Sequence, residues 1–408
     1  MALRAALAAK DPQGVAAALE LPPLAASRGG GRGGGSTGGP APAASLLVDG
    51  TDYGGVEAAH SDAARAAAAG NAPGCHGAQV RLHSALNHAL GSSRGNWLIP
   101  ALQAVCRGTA RAAAEADAAA AEEAAGDGDG GSGRNDHSRL QGAVTLLQES
   151  FSKTLNDRTE YDPSAPLDEE GSKKAGVLSI VNQLFACYFR LNTLRLCKNL
   201  VRPVESRDLH NTGAVGDMVT YRYFVGRLSM FEDQYAEAEA NLDYALRRCH
   251  RAAVGNKRRI LTYLVPVKLL RGRLPTARLL RKYGLDEFLP LVEGIRRGDL
   301  RTFNDGLHRY QNVFIRNGTY LLLEKCKTVA YRNLFKRVHT ILDRSQVRLD
   351  LVARSFKWLG MEIDLDEVEC ILANLIFRGY VRGYISHSKR ILVLSKKEPF
   401  PKSAIVAT

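Results

Sequence analysis

The chain has 408 residues, with 55 Lys and Arg against 42 Asp and Glu and 7 cysteines. It holds no apolar run long enough to cross a bilayer, and its cysteines show no C-x-x-C spacing, which excludes a helical membrane span and a zinc ribbon. Charge is unevenly placed: residues 1–170 carry 13 Lys and Arg against 20 Asp and Glu, a net of −7, while 171–408 carry 42 against 22, a net of +20. A lobe that basic attracts polyanions such as nucleic acid or acidic peptides.

Taken from its start, the chain opens on MALRAALAAKDPQGVAAALE, where Asp11 and Glu20 weigh against a transit peptide. Residues 26–44 have the composition of a flexible linker. Residues 1–78 are expected to be low-complexity and largely disordered. Residues 79–174 are expected to form helical segments over about 79–90, 97–107 and 138–155, separated by Gly/Ala-rich and acid-rich loops. The last places Leu140, Val144, Leu147 and Phe151 on one stripe. Asp127 and Asp129 in the glycine-rich loop do not make a calcium site, because Gly131 stands at the fifth position and no Glu closes the loop.

From Ala175 the sequence turns dense and periodic, and 175–342 is expected to form a right-handed stack of helix pairs. Gly226, Tyr235, Ala238, Leu242 and Ala245 stand at tetratricopeptide-like offsets. Gly272, Leu274 and Ala277 then correspond to Asp233, Tyr235 and Ala238, and Gly298, Leu300 and Phe303 give a third, degenerate copy. Small residues at such positions let paired helices approach closely.

Residues 343–398 change character, with 399–408 as a tail. A short strand precedes a helix carrying Val352, Phe356, Trp358 and Leu359. A second helix follows, with Asp366, Glu367 and Glu369 suited to its N-terminal dipole and Val368, Ile371, Leu372, Leu375 and Ile376 expected in the core. VRGYISHSK and RILVLSK make a hairpin. Strand, helix, helix and hairpin describe a winged helix. The fold class is mainly α: degenerate tetratricopeptide-like repeats followed by a winged helix.

Long ordered runs carry a family resemblance: YFRLNTLRLCKNLVR (188–202), LTYLVPVKLL (261–270), RNGTYLLLEK (316–325), YRNLFKRV (331–338) and ECILANLIFRGYVRGYISHSKRILVLSKKEPFP (369–401). Over about 175–401 the chain resembles the PCI-domain proteins, and within them the Thp-type subunits of nuclear mRNA-export complexes. The resemblance implies a PCI domain over about 217–398 and a helical superhelix capped by a winged helix. It implies partnership with a Sac-type scaffold protein of the germinal-centre-associated nuclear protein kind and with a small acidic Sem-type peptide. It also implies nucleic-acid binding and residence in the nucleus, including the nuclear pore, with the cytoplasm as a second compartment.

Two basic sets match those roles. For nucleic acid the candidates are Arg378, Arg382, Lys389, Arg390, Lys396 and Lys397 around the hairpin, helped by Lys336, Arg337, Arg354 and Lys357. Cations on a hairpin and its exit contact phosphates without reading sequence. The second winged-helix helix, acidic at its start and otherwise apolar, is not expected to read base edges. Tyr380 and Tyr384 are expected to serve packing rather than base stacking. For the acidic partner the candidates are Lys257, Arg258, Arg259, Lys268, Arg271, Arg273, Arg278, Arg281 and Lys282, in a stretch from Arg251 to Leu285 that contains no Asp or Glu. No catalytic motif is present, and neither metal nor cofactor is expected. The competing expectation is a purely protein-docking PCI subunit of a proteasome-lid- or signalosome-like assembly.

Overall fold

A computed structural model describes residues 2–21, 47–48, 51–126, 137–168, 170–211 and 213–401. The linker 26–44, the Asp127–Asp129 loop and the last seven residues of the expected tail lie outside them. The described chain is mainly helical and divides into two compact units, Met1–Tyr221 and Arg222–Thr408.

The first unit contains α1 (Ala2–Ala8), α2 (Pro12–Leu19), the two-residue strands β1 (Leu47–Val48) and β2 (Thr51–Asp52), α3 (Gly54–Ala68), α4 (Ala72–Ser92), α5 (Ile99–Gly126), α6 (Ser138–Leu155), α7 (Val177–Arg190) and α8 (Arg195–Glu205). The expectation that 1–78 is largely disordered therefore fails for the described residues. Alanine is the strongest helix former and costs no side-chain entropy on burial. Ala63, Ala67, Ala78 and Ala112 are buried in one cluster with Cys75 and Leu21, so tracts that look like low complexity form a close-packed helix interface. Asp11 and Asn71 cap α2 and α4, each side chain accepting from a backbone N–H.

A polar network runs through this core. His83 Nε2 lies 2.8 Å from Ser150 Oγ, and His83 Nδ1 lies 3.1 Å from Thr109 Oγ1. Ser150 Oγ in turn donates to Asn87 Oδ1 at 2.7 Å. All four side chains are fully buried, so a Ser–His contact that would suit a nucleophile and its base has no route to a substrate. Burial pushes the His83 imidazole down to about 4.

The boundary between units falls within α9 (Val215–Phe231), not at residue 175 where composition changes. The reason is packing: α7 lays its apolar residues on α5 and α6, so it belongs with the helices before it.

The second unit continues from α9 with α10 (Tyr235–Arg248), α11 (Val254–Leu270), α12 (Ala277–Lys282), α13 (Leu289–Arg297), α14 (Leu300–Arg309), α15 (Gln311–Asn317), α16 (Tyr320–Lys325) and α17 (Lys327–Leu342). The expected repeat has a backbone signature. Asp233, Gly272 and Gly298 all adopt left-handed φ, at 62°, 69° and 65°, and each lies shortly before a helix. The first and third copies bury their consensus residues: Tyr235, Ala238, Leu300 and Phe303 are in the core. The middle copy departs, with Leu274 and Ala277 only half-buried and a helix of 6 residues. Gly226 permits the α9–α10 approach, since a Cβ there would stand 2.8 Å from Leu242 Cγ.

The C-terminal module is β3 (Gln346–Arg348), α18 (Leu349–Trp358), α19 (Leu365–Phe377), β4 (Gly383–Ser386) and β5 (Ile391–Leu394), with a 3-stranded antiparallel sheet in the order β3-β5-β4. That is the strand–helix–helix–hairpin of a winged helix. Val368, Leu372 and Leu375 fill its core, whereas Ile371 and Ile376 are half-buried.

The expected tail begins later than residue 399. Phe400 is buried against α17, and Arg382 N–H donates to Pro399 O at 2.8 Å. The exit from the wing is thus part of the fold.

Candidate functional site

The wing is built from short-range constraints. Asp364 caps α19, accepting from Glu367 N at 2.7 Å, which fixes the helix start beside its acidic first turn. Val347 pairs with Leu392, and Tyr384 pairs with Val393, across β5. The β4–β5 turn closes with Arg390 N–H donating to His387 O at 3.1 Å while Arg390 holds φ at 50°. Arg390 O then accepts from Leu349 N, tying the turn to the start of α18. His387 Nδ1 lies 2.7 Å from Glu369 Oε2, tying it to α19 as well.

On this frame Lys389, Arg390, Lys396 and Lys397 project into solvent from the turn and from the exit of β5, and Arg378 and Lys357 are exposed at the ends of α19 and α18. None of these six makes an ion pair among the described residues. Arg382 and Arg354 differ, because Arg382 pairs with Glu398 at 2.9 Å and Arg354 faces Asp350 at 3.8 Å. The structure thus brings together an unneutralised cationic edge and weakens the case for two of its expected members.

The aromatic residues divide. Tyr380 is buried, as expected for a packing role, but Tyr384 is 63% exposed, which corrects its assignment to packing. β4 is the edge strand of the sheet, and Tyr384 is its one exposed residue, between half-buried Gly383 and Ile385. Phe377 at 90% and Trp358 at 81% are more exposed still. On the solvent side of α19 stand Asp366, Glu367, Cys370, Ala373, Asn374 and Phe377. Asn374 is one polar side chain on that face that the description "otherwise apolar" passes over, but it stands alone there without Arg or Lys, so major-groove reading remains unsupported.

Lys336 and Arg337 are not on the wing. They line a groove of about 500 Å³ with Leu274, Arg296, Asn333, Thr340 and Ile341, all preceding the winged helix. Neither has an ion-pair partner among the described residues. Arg296 has no place among the residues expected from sequence. Its sequence neighbours suggest only a helix end, and nothing local signals that α17 lies beside it.

The expected acidic-partner face is also redistributed. Although the stretch from Arg251 to Leu285 lacks acids, α10 supplies them from the side. Glu239, itself buried, accepts from Arg273 at 2.7 Å and Arg271 at 3.1 Å, and Asp243 pairs with Lys268 at 2.8 Å. Like-charge repulsion is therefore relieved internally along the C-terminal half of α11. At the other end, Arg258 reaches over Gly284, with its guanidinium carbon 3.9 Å from where a Cβ would sit. That contact places it beside the end of α12, where Arg281 and Lys282 are exposed. Arg259 and Arg278 are exposed and Lys257 half-buried, without ion pairs among the described residues.

No group of three or more metal-ligating side chains exists among the described residues. No described helix is long and apolar enough to cross a membrane.

Comparison with known proteins agrees with this architecture. Residues 164–290 match the family model described as "PSMD3-like, N-terminal TPR repeats", and residues 307–396 match the PCI domain. The chain is 45% identical over 239 residues to PCI domain-containing protein 2 of Xenopus laevis, covering 58% of this chain and 60% of that protein. It is 43% identical over 265 residues to the Dictyostelium discoideum homologue, covering 64% and 60%. It is 33% identical over 334 residues to the protein CSN12 homolog of Mycosarcoma maydis, covering 77% and 72%. The match thus spans about 60% of the length of the first two relatives.

Proposed function

The chain belongs to the PCI-domain family of scaffold subunits, and from that premise we propose that it is a non-enzymatic, nucleic-acid-binding subunit of a nuclear mRNA-export assembly, coupling transcription to export at the nuclear pore. The observation that carries the nucleic-acid role is the set of exposed cations Lys389, Arg390, Lys396 and Lys397, without ion pairs among the described residues, on the hydrogen-bonded turn and the exit of the hairpin that also carries the exposed ring of Tyr384. Such an edge neutralises phosphates by position alone, and an exposed ring adds a face on which an unpaired base stacks. The expected preference is for phosphate and shape, not base sequence.

In this reading the helical repeats hold the partners. A Sac-type scaffold protein would dock on the PCI module, and a small acidic Sem-type peptide would lie on the part of the basic face left unneutralised, around Lys257, Arg258, Arg259, Arg278, Arg281 and Lys282. Charge complementarity there would steer association and set orientation.

A salt-dependent binding titration with single-stranded RNA and duplex DNA tests the proposal. Binding that weakens steeply with salt, and whose slope flattens by about three when Lys389, Arg390, Lys396 and Lys397 become alanine, supports it. An unchanged slope in that variant rejects the wing as the nucleic-acid edge.

A second reading rests on Trp358 and Phe377. Large exposed aromatics are enriched where proteins dock, and a module that presents two of them suits a protein partner. In that reading the subunit is a docking scaffold of a lid- or signalosome-like assembly and the cationic edge serves only its rim.

A further inference from the structure

Of the hairpin's serines, Ser386 and Ser395 are half-buried and only Ser388 is exposed. It is the second residue of the turn His387–Arg390, directly before Lys389 and Arg390, two of the cations on the edge described above. Its hydroxyl makes no hydrogen bond among the described residues. The turn is closed by Arg390 N–H on His387 O, tied to α18 by Leu349 N–H on Arg390 O, and tied to α19 by His387 on Glu369. None of these bonds uses Ser388, so a group added to its side chain meets no resistance from the fold.

We propose that Ser388 is a phosphorylation site for a Ser/Thr protein kinase that selects basic peptides, and that its phosphate switches off the wing as a polyanion-binding edge. Lys389 and Arg390 follow the serine and Arg378 and Arg382 precede it, which suits a kinase cleft lined by acids. In the transfer, Ser388 Oγ attacks the γ-phosphorus of ATP. The Oγ–P bond forms, the bond from that phosphorus to the β–γ bridging oxygen breaks, ADP leaves with the electron pair, and the hydroxyl proton passes to the kinase's base. The phosphate carries a charge of about −2, which offsets roughly half of the charge of Lys389, Arg390, Lys396 and Lys397. Its oxygens also accept charge-assisted hydrogen bonds from the neighbouring cations and so withdraw them from a bound strand. Acetylation is a weaker candidate for the same control. It removes one charge at a time, and Lys389, Lys396 and Lys397 are all exposed, so nothing singles out one of them. The inference rests on the nucleic-acid role proposed for the wing and adds its regulation.

The test treats the full chain with ATP and the catalytic fragment of protein kinase C, which accepts serines flanked by basic residues. Mass spectrometry is expected to find a phosphate on Ser388, absent from Ser388→Ala. The phosphorylated chain should bind oligouridine about tenfold more weakly, with a salt slope smaller by about 1.4, and Ser388→Asp should show a smaller loss of the same sign. Ser388→Ala should bind as the wild type does, before and after kinase treatment, and the melting temperature should not change on phosphorylation. Absence of phosphate from Ser388 overturns the proposal. So does undiminished binding by the phosphorylated chain when the four-alanine wing variant binds more weakly, a result that leaves the wing's nucleic-acid role standing. If the four-alanine variant itself binds as the wild type does, that role fails and the switch fails with it. A fall in melting temperature on phosphorylation would make the effect one of folding and equally overturn the proposal.

Discussion

Arg332, on α17, donates from Nη2 to the carbonyl oxygen of Phe400 at 2.9 Å. The guanidinium is buried, also reaches Pro401 O at 3.3 Å, and donates from Nη1 to Asn333 Oδ1 at 2.8 Å. One side chain thereby fastens the exit of the winged helix to the last long helix before it. It also positions Asn333, whose amide holds α13. The wing, α17 and the groove share this clasp.

Removing that clasp leaves buried carbonyls without a donor. Arg332→Met keeps the aliphatic stem and is expected to destabilise the second unit by about 2–3 kcal/mol. Urea denaturation followed by circular dichroism measures it. A chain ending at Pro399 should show a loss of the same sign, because it removes the two carbonyls instead of the donor. Wild-type stability in both would show that the exit is held by other contacts.

Glycines of one unit are expected to respond in opposite directions. Gly298→Ala meets both a left-handed φ of 65° and the Leu334 backbone, so it should cost more than about 2 kcal/mol. Gly255, near the start of α11, has nothing within 4 Å of an added Cβ. Gly255→Ala should stabilise by roughly 0.5–1 kcal/mol through helix propensity. Thermal melts of the two variants make the comparison, and the same sign of shift in both would contradict it.

The His83 network gives a pH dependence. Its folded-state value is about 4 against an ordinary 6.5, lowered chiefly by burial, with Glu149 opposing weakly. Above 6.5 both folded and unfolded chains hold the ring neutral, and the network contributes fully. As pH falls from 6.5 toward about 4, the unfolded chain takes up a proton that the folded one refuses, so stability declines through that window and levels below it. The decline attributable to His83 is at most about 3 kcal/mol. His83→Gln should lower stability at neutral pH and flatten its pH dependence, as measured by urea denaturation at several pH values. An unaltered pH slope would remove His83 as the titrating group.

Tyr384 separates the two functional readings. Tyr384→Ala is expected to weaken single-stranded RNA binding by about 1 kcal/mol while leaving duplex DNA nearly unaffected, since only unpaired bases can stack on it. Filter binding at fixed salt measures both. Equal small effects on the two substrates would favour phosphate contact alone, and an effect on protein assembly without one on RNA would favour the docking reading.

Much of the second unit was legible in the chain itself. The repeat spacing gave α10 and α14, and the repeat offsets marked turns whose left-handed backbone Asp233, Gly272 and Gly298 share. Local signals also sufficed for the winged helix: the acids Asp366, Glu367 and Glu369 at a helix start, a polar turn between apolar runs, and the order of elements. These features are encoded within a few residues of where they act. The alanine tracts of the first unit were misjudged because composition reports what a segment lacks, whereas burial depends on the helix opposite. Ala63 and Ala78 become core only because α3 and α4 meet.

The sequence by itself determined the fold class, the placement of positive charge in the C-terminal half and the cations of the wing, because helix periodicity, turn chemistry and net charge are properties of neighbouring residues. Only the tertiary structure decided which cations remain free. Glu239 and Asp243 neutralise Arg271, Arg273 and Lys268, 25–34 positions away at the end of the neighbouring helix and just past it, and Lys336 joins Arg296 across two helices rather than the wing beyond it. Coulomb interaction depends on distance through space and on the surrounding dielectric, and neither is a function of position along the chain.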